Sequence, residues 1–415
     1  MTKRFLCIGL MLLAISITSA QDQFKLMTYN LLEFPEAPPD NREQILNDIL
    51  AEVDPDLLLV QELQSPAGAN LINDFSFNYT TKDFQSADFV FNTSGGNNLN
   101  QLLFYNADRF EILTTDQIGT SLRDINYYKL RLKTVNEANL PVDIHVFIAH
   151  LKASQGSFNE QWRFDMVQEF TNFLFTLPAD ARVIFGGDMN FYSGSESAVQ
   201  QLVIGNTPIP VLDPIDEIGD WHTNSFFADI HTQSTRQSNN TFNDFGAGGG
   251  LDDRFDFIFL SDNLLDNTNT VYYQTDTHQA VGNNGNCFND NINASSCFGN
   301  FDQSLRDDLY NMSDHLPVEL TMNTTEDFLT VESHQLESLV TFPRGNIAED
   351  NISIKYADQL INNNQEIIIY NNLGKQIKRL RIDQNVQTFD VSGWNSGIYY
   401  LKMASFPDVV KFVVN

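Results

Sequence analysis

The chain has 415 residues, enough for a large core and more than one domain. Hydrophobic residues make up 42 %, which excludes a wholly disordered protein. Its 54 acidic and 24 basic side chains leave a formal net charge of -30, which excludes nucleic-acid binding by bulk charge but not a nuclease that meets phosphate through bound cations and a local basic patch.

Lys3 and Arg4 precede an apolar run over 5–15, and the small residues Thr18, Ser19 and Ala20 follow. This is the pattern of a secretory signal peptide over 1–20, with no Cys at the junction to carry a lipid. Cys7 leaves with it, so Cys287 and Cys297 are the cysteines of the mature chain. Close in sequence in an exported protein, they are expected to form a disulfide. A zinc site lacks a second Cys or His pair nearby. No later apolar run reaches the length of a membrane span.

Residues 24–30 alternate as a strand ending in Asn30. Residues 41–53 carry Ile45, Ile49, Leu50 and Val53 at helical spacing, and Asp54-Pro55 ends the helix. A short buried strand over 57–60 is followed at once by Gln61 and Glu62. Strands are expected over 99–105, 110–114, 127–133 and 142–149, the last running into His150, Leu151 and Lys152. Lys129, Arg131 and Lys133 share one face of their strand, the pattern of a solvated face, with a phosphate-binding stripe as the lesser reading. Helix 158–177 carries Trp162, Met166, Phe170 and Leu174.

The apolar run 183–185 stops at Gly186 and Gly187, where the backbone can turn sharply. Asp188 and Asn190 follow, on the same side if the chain stays extended. Residues 195–203 form a short helix, and 204–250 are loop-rich, with a glycine-dense end over 246–250 that is expected to be mobile. Asp256 lies in a strand over 254–261. A polar insertion over 279–312 surrounds the cysteines, and Ser313, Asp314 and His315 lead into a last strand ending near Met322. A linker over 326–338 precedes a small all-β domain over 339–415, in which alternating runs are separated by turn residues.

Asn30, Glu62, His150, Asp188 with Asn190, Asp256, and Asp314 with His315 thus recur at strand ends. Singly, each has an ordinary structural explanation: a helix cap for Glu62, an edge histidine for His150, a partner for Arg254 in Asp256. Jointly they point to one convergent site.

The ordered set Thr28-Tyr29-Asn30, Gln61-Glu62, His150-Leu151-Lys152, Gly187-Asp188-Met189-Asn190, Arg254-Phe255-Asp256 and Ser313-Asp314-His315 resembles the endonuclease/exonuclease/phosphatase family. The resemblance covers residues 21–325 and implies a deoxyribonuclease I-like fold: an α+β, four-layer α/β/β/α sandwich with the site at one edge. It implies Glu62 as the principal metal ligand, with Asn30 and Asp314 completing or orienting the shell, and Mg²⁺ or Mn²⁺ as the ion, Ca²⁺ being also compatible. Asp188 and Asn190 are implied to position the attacking water and the phosphate. His315, held by Asp256, is implied as base or phosphate stabiliser, and His150 as a phosphate or leaving-group contact. Lys152 and Arg131 are the candidate substrate-binding cations. Two family features are missing: an Arg-Pro pair in the strand before His150, and a substrate-contacting Tyr near 97–101.

The tail resembles the C-terminal sorting domain of type IX secretion in Bacteroidetes, through 367–375, 389–392 and 397–401. It lacks that domain's usual Pro-Asn-Pro, with Phe342-Pro343-Arg344-Gly345 in its place, and a carbohydrate- or partner-binding β-sandwich is the plain alternative. The resulting expectation is a secreted or surface-exposed, monomeric, metal-dependent phosphodiesterase. It would cut extracellular nucleic acid and use the type IX machinery as its export partner. A phosphatase or sphingomyelinase-like diesterase is the alternative within the fold, and a non-catalytic surface binding protein the alternative outside it. Retention of Asp188 and of the Asp256–His315 pair argues against the last.

Overall fold

The structure is a computed structural model that describes residues 21–95, 98–329, 336–357, 360–361, 366–403 and 409–415. The expected signal peptide over 1–20 and positions 330–335 of the expected linker lie outside the described residues. The chain divides into two compact units, Met1–Leu329 and Thr330–Asn415.

Two sheets form the centre of the first unit. One runs in the order β11 (Val271–Tyr273), β13 (Val318–Thr324), β1 (Asp22–Phe34), β2 (Leu57–Leu63), β4 (Asn100–Asn106) and β3 (Phe84–Ser86), with β12 (Gln279–Ala280) beside β13. The other runs β5 (Phe110–Ile118), β6 (Ile125–Leu132), β7 (Asp143–His150), β8 (Val183–Asp188), β10 (Asp256–Ser261) and β9 (Val211–Leu212). Each has one parallel pair at its centre, β1 with β2 and β7 with β8. β2 and β8 are buried on both faces, so their first halves read as unbroken apolar runs.

Side-chain parity assigns the layers. Val146, Ile148, Ile184 and Ile258 join a core with Leu57, Leu59 and Leu26 of the first sheet. Their strand neighbours Phe147, Phe185, Phe257 and Phe259 join a second core with Met166 and Phe170 of α3 (Ser157–Leu174) and Ala198 and Leu202 of α4 (Ser197–Val203). On the opposite side, α1 (Arg42–Val53) contributes Leu46, Ile49 and Leu50 to the first core, and α6 (Gln303–Met312) contributes Leu305, Leu309 and Met312. The result is the four-layer α/β/β/α sandwich. The minor helices α2 (Pro66–Leu71) and α5 (Asp262–Leu265) lie in connections.

Gly186 and Gly187 let the layers close. A Cβ on Gly186 would lie 2.9 Å from Leu59 Cδ2 in the other sheet. Gly187 has φ 141°, and a Cβ there would lie 2.0 Å from the Ala149 carbonyl oxygen on the paired strand.

One local expectation is extended and one corrected. The polar insertion over 279–312 ends in α6, which Asp302 caps by accepting from Leu305 N at 3.0 Å. The glycine-dense stretch is not loose. Ala247 N donates to Asp314 Oδ2 at 2.7 Å, and a Cβ on Gly246 would meet Asp314 Cγ at 2.9 Å.

The second unit holds a three-stranded sheet, β14 (Val340–Thr341), β16 (Asn351–Tyr356) and β19 (Val386–Asp390). Its five-stranded sheet runs β15 (Ile347–Ala348), β21 (Val409–Val414), β20 (Gly397–Met403), β17 (Glu366–Asn371) and β18 (Gln376–Arg381). Ile352, Ile354, Ile367, Ile369, Leu401 and Phe412 lie in its own core.

Candidate active site

Strand register assembles the site. In the second sheet His150 pairs with Asp188 across β7–β8, and Asp188 pairs with Asp256 across β8–β10. One imidazole and two carboxylates therefore stand in a row on adjacent strands. In the first sheet Asn30 pairs with Gln61, which sets Glu62 where the β1–β2 register breaks. Thr28 pairs with Val318 on the antiparallel β13, so Asp314 and His315, just before that strand, reach the same edge.

Two of these residues leave the strand conformation. Glu62 has φ 60° and Asn190 has φ 51°, both left-handed, and the register of β1 and β2 shifts around Asn30 and Glu62. Such conformations are strained for non-glycine residues and aim the side chain away from its strand position. Asp188 and Asn190 therefore share a side through a turn, not an extended chain. Asn190 Nδ2 donates to Asp188 Oδ1 at 2.8 Å.

The two halves meet at Asn30. Its Nδ2 donates to Glu62 Oε1 at 3.1 Å and to Asp188 Oδ2 at 3.0 Å, while its Oδ1 accepts from Leu32 N at 3.0 Å. Glu62 Oε2 accepts from Glu33 N at 3.0 Å. His150 Nε2 lies 3.4 Å from Asp188 Oδ2 and 3.8 Å from Glu62 Oε1. His315 Nδ1 is 2.7 Å from Asp256 Oδ2, and its Nε2 is 3.7 Å from Asp188 Oδ2. Asp256 therefore serves His315, and Arg254 is bound instead by both oxygens of Asp213 at 2.8 and 2.9 Å.

Burial drives the electrostatics. It raises Glu62 above its ordinary range, with Asp314 adding to the effect. It pushes Asp188 up to about 7 against the pull of His315. It lowers His150, as do Arg123, His315 and Lys152, so that ring stays neutral at pH 7. Burial also opposes charge on His315, yet Asp256, Asp188 and Asp314 hold that ring well above its ordinary value. Two imidazoles at one edge are thus driven to opposite charge states.

The residues fit a divalent cation. Glu62 and Asp188 share one amide donor, and Asp314 Oδ1 is buried with no hydrogen-bond partner. Hard oxygen donors short of positive charge suit such an ion. Among the described residues, Glu62, His150 and Asp188 bring ligand atoms within 4.8 Å of one another, as do Asp188, Asp256 and His315. Asp314 belongs to neither group; Ala247 N and Gln233 Nε2 hold its Oδ2. Asn30 turns its amide nitrogen to the carboxylates, so it orients Glu62 where the resemblance also allowed it to be a ligand.

Glu62, His150, Asp188, Asn190, Asp314 and His315 line a cleft of about 330 Å³, with Tyr192, Gln233 and Ala247 beside them, while Asn30 and Asp256 stand behind its wall. A larger cavity of about 700 Å³, with Glu217, Asp229 and Asp276 on its wall, carries none of the strand-end groups.

The two candidate substrate cations are not in the cleft. Arg131 pairs with Asp143 at 2.5 Å, at the far end of β7 from His150 and about 20 Å along the strand. Lys129 takes the same carboxylate at 2.8 Å and Arg131 also reaches Glu137 at 4.0 Å, so these two cations of the stripe are paired on their own face. Lys152 stands next to the cleft, but its Nζ donates to the Ala153 carbonyl at 2.8 Å.

Two contributors, Gln233 and Arg123, were not among the sequence-predicted residues. Gln233 places its amide nitrogen 2.6 Å from His315 Nε2 and donates from it to Asp314 Oδ2 at 3.1 Å. Buried Arg123 donates to the carbonyls of His150 and Leu151 at 2.9 and 2.5 Å. The disulfide joins Cys287 to Cys297. Its loop reaches the site through backbone, with Ile292 N on Thr235 O and Thr235 N on Asp314 O. These residues lie in irregular segments, where no periodic signal exists to find them.

The sandwich and its acidic, histidine-bearing edge define a metal-dependent phosphoric ester hydrolase. The chain belongs to the endonuclease/exonuclease/phosphatase family, whose model matches residues 27–315. A secretion system C-terminal sorting domain matches residues 346–415 and marks export by type IX secretion to the cell surface or extracellular space. No helix among the described residues is long and apolar enough to cross a membrane.

Similar solved structures include D. rerio TDP2 complexed with single-strand DNA product, at 18 % identity over 73 % of this chain and 99 % of that one, TM-score 0.48. The human Nocturnin catalytic domain with bound sulfate is 14 % identical over 74 % and 98 %, TM-score 0.43. An endonuclease/exonuclease/phosphatase family protein from Bacteroides thetaiotaomicron is 14 % identical over 73 % and 95 %, TM-score 0.43. Likenesses at this level carry no statement about activity. No curated protein matches the chain.

Proposed function

We propose that this protein is a secreted phosphodiesterase that uses Mg²⁺ or Mn²⁺ and cuts extracellular nucleic acid endonucleolytically. The observation that carries the diester reading is the lining of the cleft. It holds four carboxylates beside Asn190, His150 and His315, and among the described lining residues no Lys or Arg. A phosphomonoester dianion or a multiply phosphorylated ligand calls for several cationic contacts. A diester carries one charge per phosphate, which one cation and His315 can balance.

Glu62 would hold the cation, supported by Asn30 and Asp314. When bound, the cation supplies charge neutralisation and polarisation at the phosphate oxygens. Asp188, fixed by Asn30 and Asn190, orients the attacking water and takes its proton at Oδ2. His315, kept cationic by Asp256, faces the phosphate as charge develops. Neutral His150 donates a hydrogen bond from Nε2 to the leaving oxygen and keeps its own proton. Water oxygen joins phosphorus, the P–O ester bond breaks in line, the departing oxygen takes a proton from solvent, and Asp188 returns the proton it took to solvent.

The second unit serves export on this reading, and the catalytic domain spans 21–325. A chain ending at residue 329 should remain folded and active while failing to leave its native host. Loss of activity in that truncation would make the tail part of the enzyme.

The test is hydrolysis of plasmid DNA, RNA, sphingomyelin, bis(4-nitrophenyl) phosphate and 4-nitrophenyl phosphate, with Mg²⁺ and with EDTA. EDTA-sensitive cleavage of DNA or RNA and of the chromogenic diester is expected. Preference for the monoester would overturn the diester reading. Turnover of sphingomyelin alone would keep the mechanism and replace the substrate.

A further inference from the structure

Tyr192 follows Asn190 by two residues and lines the cleft with Asp188 and His315. Its ring is held on three sides. Phe255 meets it edge-on at 4.9 Å and His222 at 5.2 Å, and the Arg163 guanidinium lies over it at 5.5 Å. None of these contacts is adventitious packing of a loose residue.

Arg163 is buried and pairs with both oxygens of Glu196 at 2.7 and 2.9 Å. It also donates to the carbonyls of Lys152 and Ser154 at 2.8 and 2.9 Å. Glu196 in turn accepts from Tyr192 N at 2.7 Å. One ion pair therefore locks the turn after β8 to the loop after β7, with Tyr192 between them. His222 is fixed from behind by Asp253, 2.6 Å from its Nδ1.

The Tyr192 hydroxyl, by contrast, has no hydrogen-bond partner among the described residues, and it is not one of the buried orphan atoms. A ring clamped on three sides with its polar end unused is a donor prepared for a ligand. Burial and Asp253 hold its pKa up at about 12, so it keeps its proton.

We propose that Tyr192 is a substrate-binding residue whose phenol donates a hydrogen bond to a phosphate oxygen of the bound ester, with Arg163, Phe255 and His222 as its positioning residues. This deepens the reading of the cleft as a phosphodiesterase site and rests on it for the substrate class. The Tyr comes from the turn after β8, not from the segment before β4.

Y192F separates hydroxyl from ring. With bis(4-nitrophenyl) phosphate and Mg²⁺, it should raise KM roughly threefold to tenfold with little change in kcat, the loss of one donor. Binding of inorganic phosphate, read by calorimetry in Mg²⁺, should weaken by the same factor without any turnover. H222A keeps the phenol and loosens its ring, and should give a smaller shift in both. Wild-type KM together with wild-type phosphate affinity in Y192F would overturn the proposal. A wild type that turns over no diester, with Y192F still weaker for phosphate, would sink the phosphodiesterase reading and leave the contact standing.

Discussion

Asn30 Nδ2 donates to Asp188 Oδ2 at 3.0 Å, across two different sheets and 158 residues of chain. The same nitrogen reaches Glu62, so one amide aligns the carboxylate proposed for the cation and the one proposed for the water. Asn30→Ala should lower kcat by about two orders of magnitude, as for loss of one preorganised donor. Asp188→Asn should lose about three or more while the protein still melts as a folded, cooperative unit. Steady-state kinetics beside thermal melts check both; a fully active Asp188→Asn protein would remove the mechanism.

Glu62 is the residue whose change should be read in metal and not only in rate. Glu62→Gln removes a charge from a hard oxygen site while keeping its shape. The Mg²⁺ concentration for half-maximal activity should rise roughly tenfold or more. An unchanged metal titration with a lower rate would take Glu62 out of the ligand set.

Gly187 is where the row His150–Asp188–Asp256 depends on a missing side chain. Its φ of 141° and the 2.0 Å approach of Ala149 O leave no room for a methyl group. Gly187→Ala should cost about 2 kcal/mol or more and depress activity with it. Gly249→Ala is the control: φ is 123°, but nothing lies within 4 Å of the added carbon, so strain acts there without a clash. Urea unfolding should rank Gly187→Ala as the more destabilised.

His145 predicts the acid limb of stability. Burial, with Lys129 adding, holds it at about 4 against an ordinary 6.5, and its Nδ1 meets Tyr127 Oη at 2.8 Å. Unfolding frees the ring to bind a proton below pH 6.5. The unfolded state therefore carries more protons between about 6.5 and 4, and stability falls as pH falls through that window. His145→Gln should flatten this limb in urea titrations at pH 4.5, 5.5 and 7; an unaltered slope would show that the ring does not titrate as buried.

How much of this was legible follows the range of each signal. The central strands 57–60, 142–149 and 183–185 declared themselves as apolar runs, and helices 41–53 and 158–177 by their spacing, because burial of a face imposes a local period. Asn30, Glu62, His150, Asp188, Asp256, Asp314 and His315 were readable because each terminates or opens such a run. The sequence by itself thus determined the sandwich class, the roster of strand-end groups and the tail. Strand register was not local, and it alone decided that His150, Asp188 and Asp256 form one row. The fate of Arg131 was likewise a matter of its cross-strand partner, Asp143. Gln233, Ala247, Arg123 and Tyr192 lie in connections whose course is set by the elements they join, so only the tertiary structure could bring them to the cleft. They meet it through contacts tens of residues apart, for which no spacing in the chain leaves a trace.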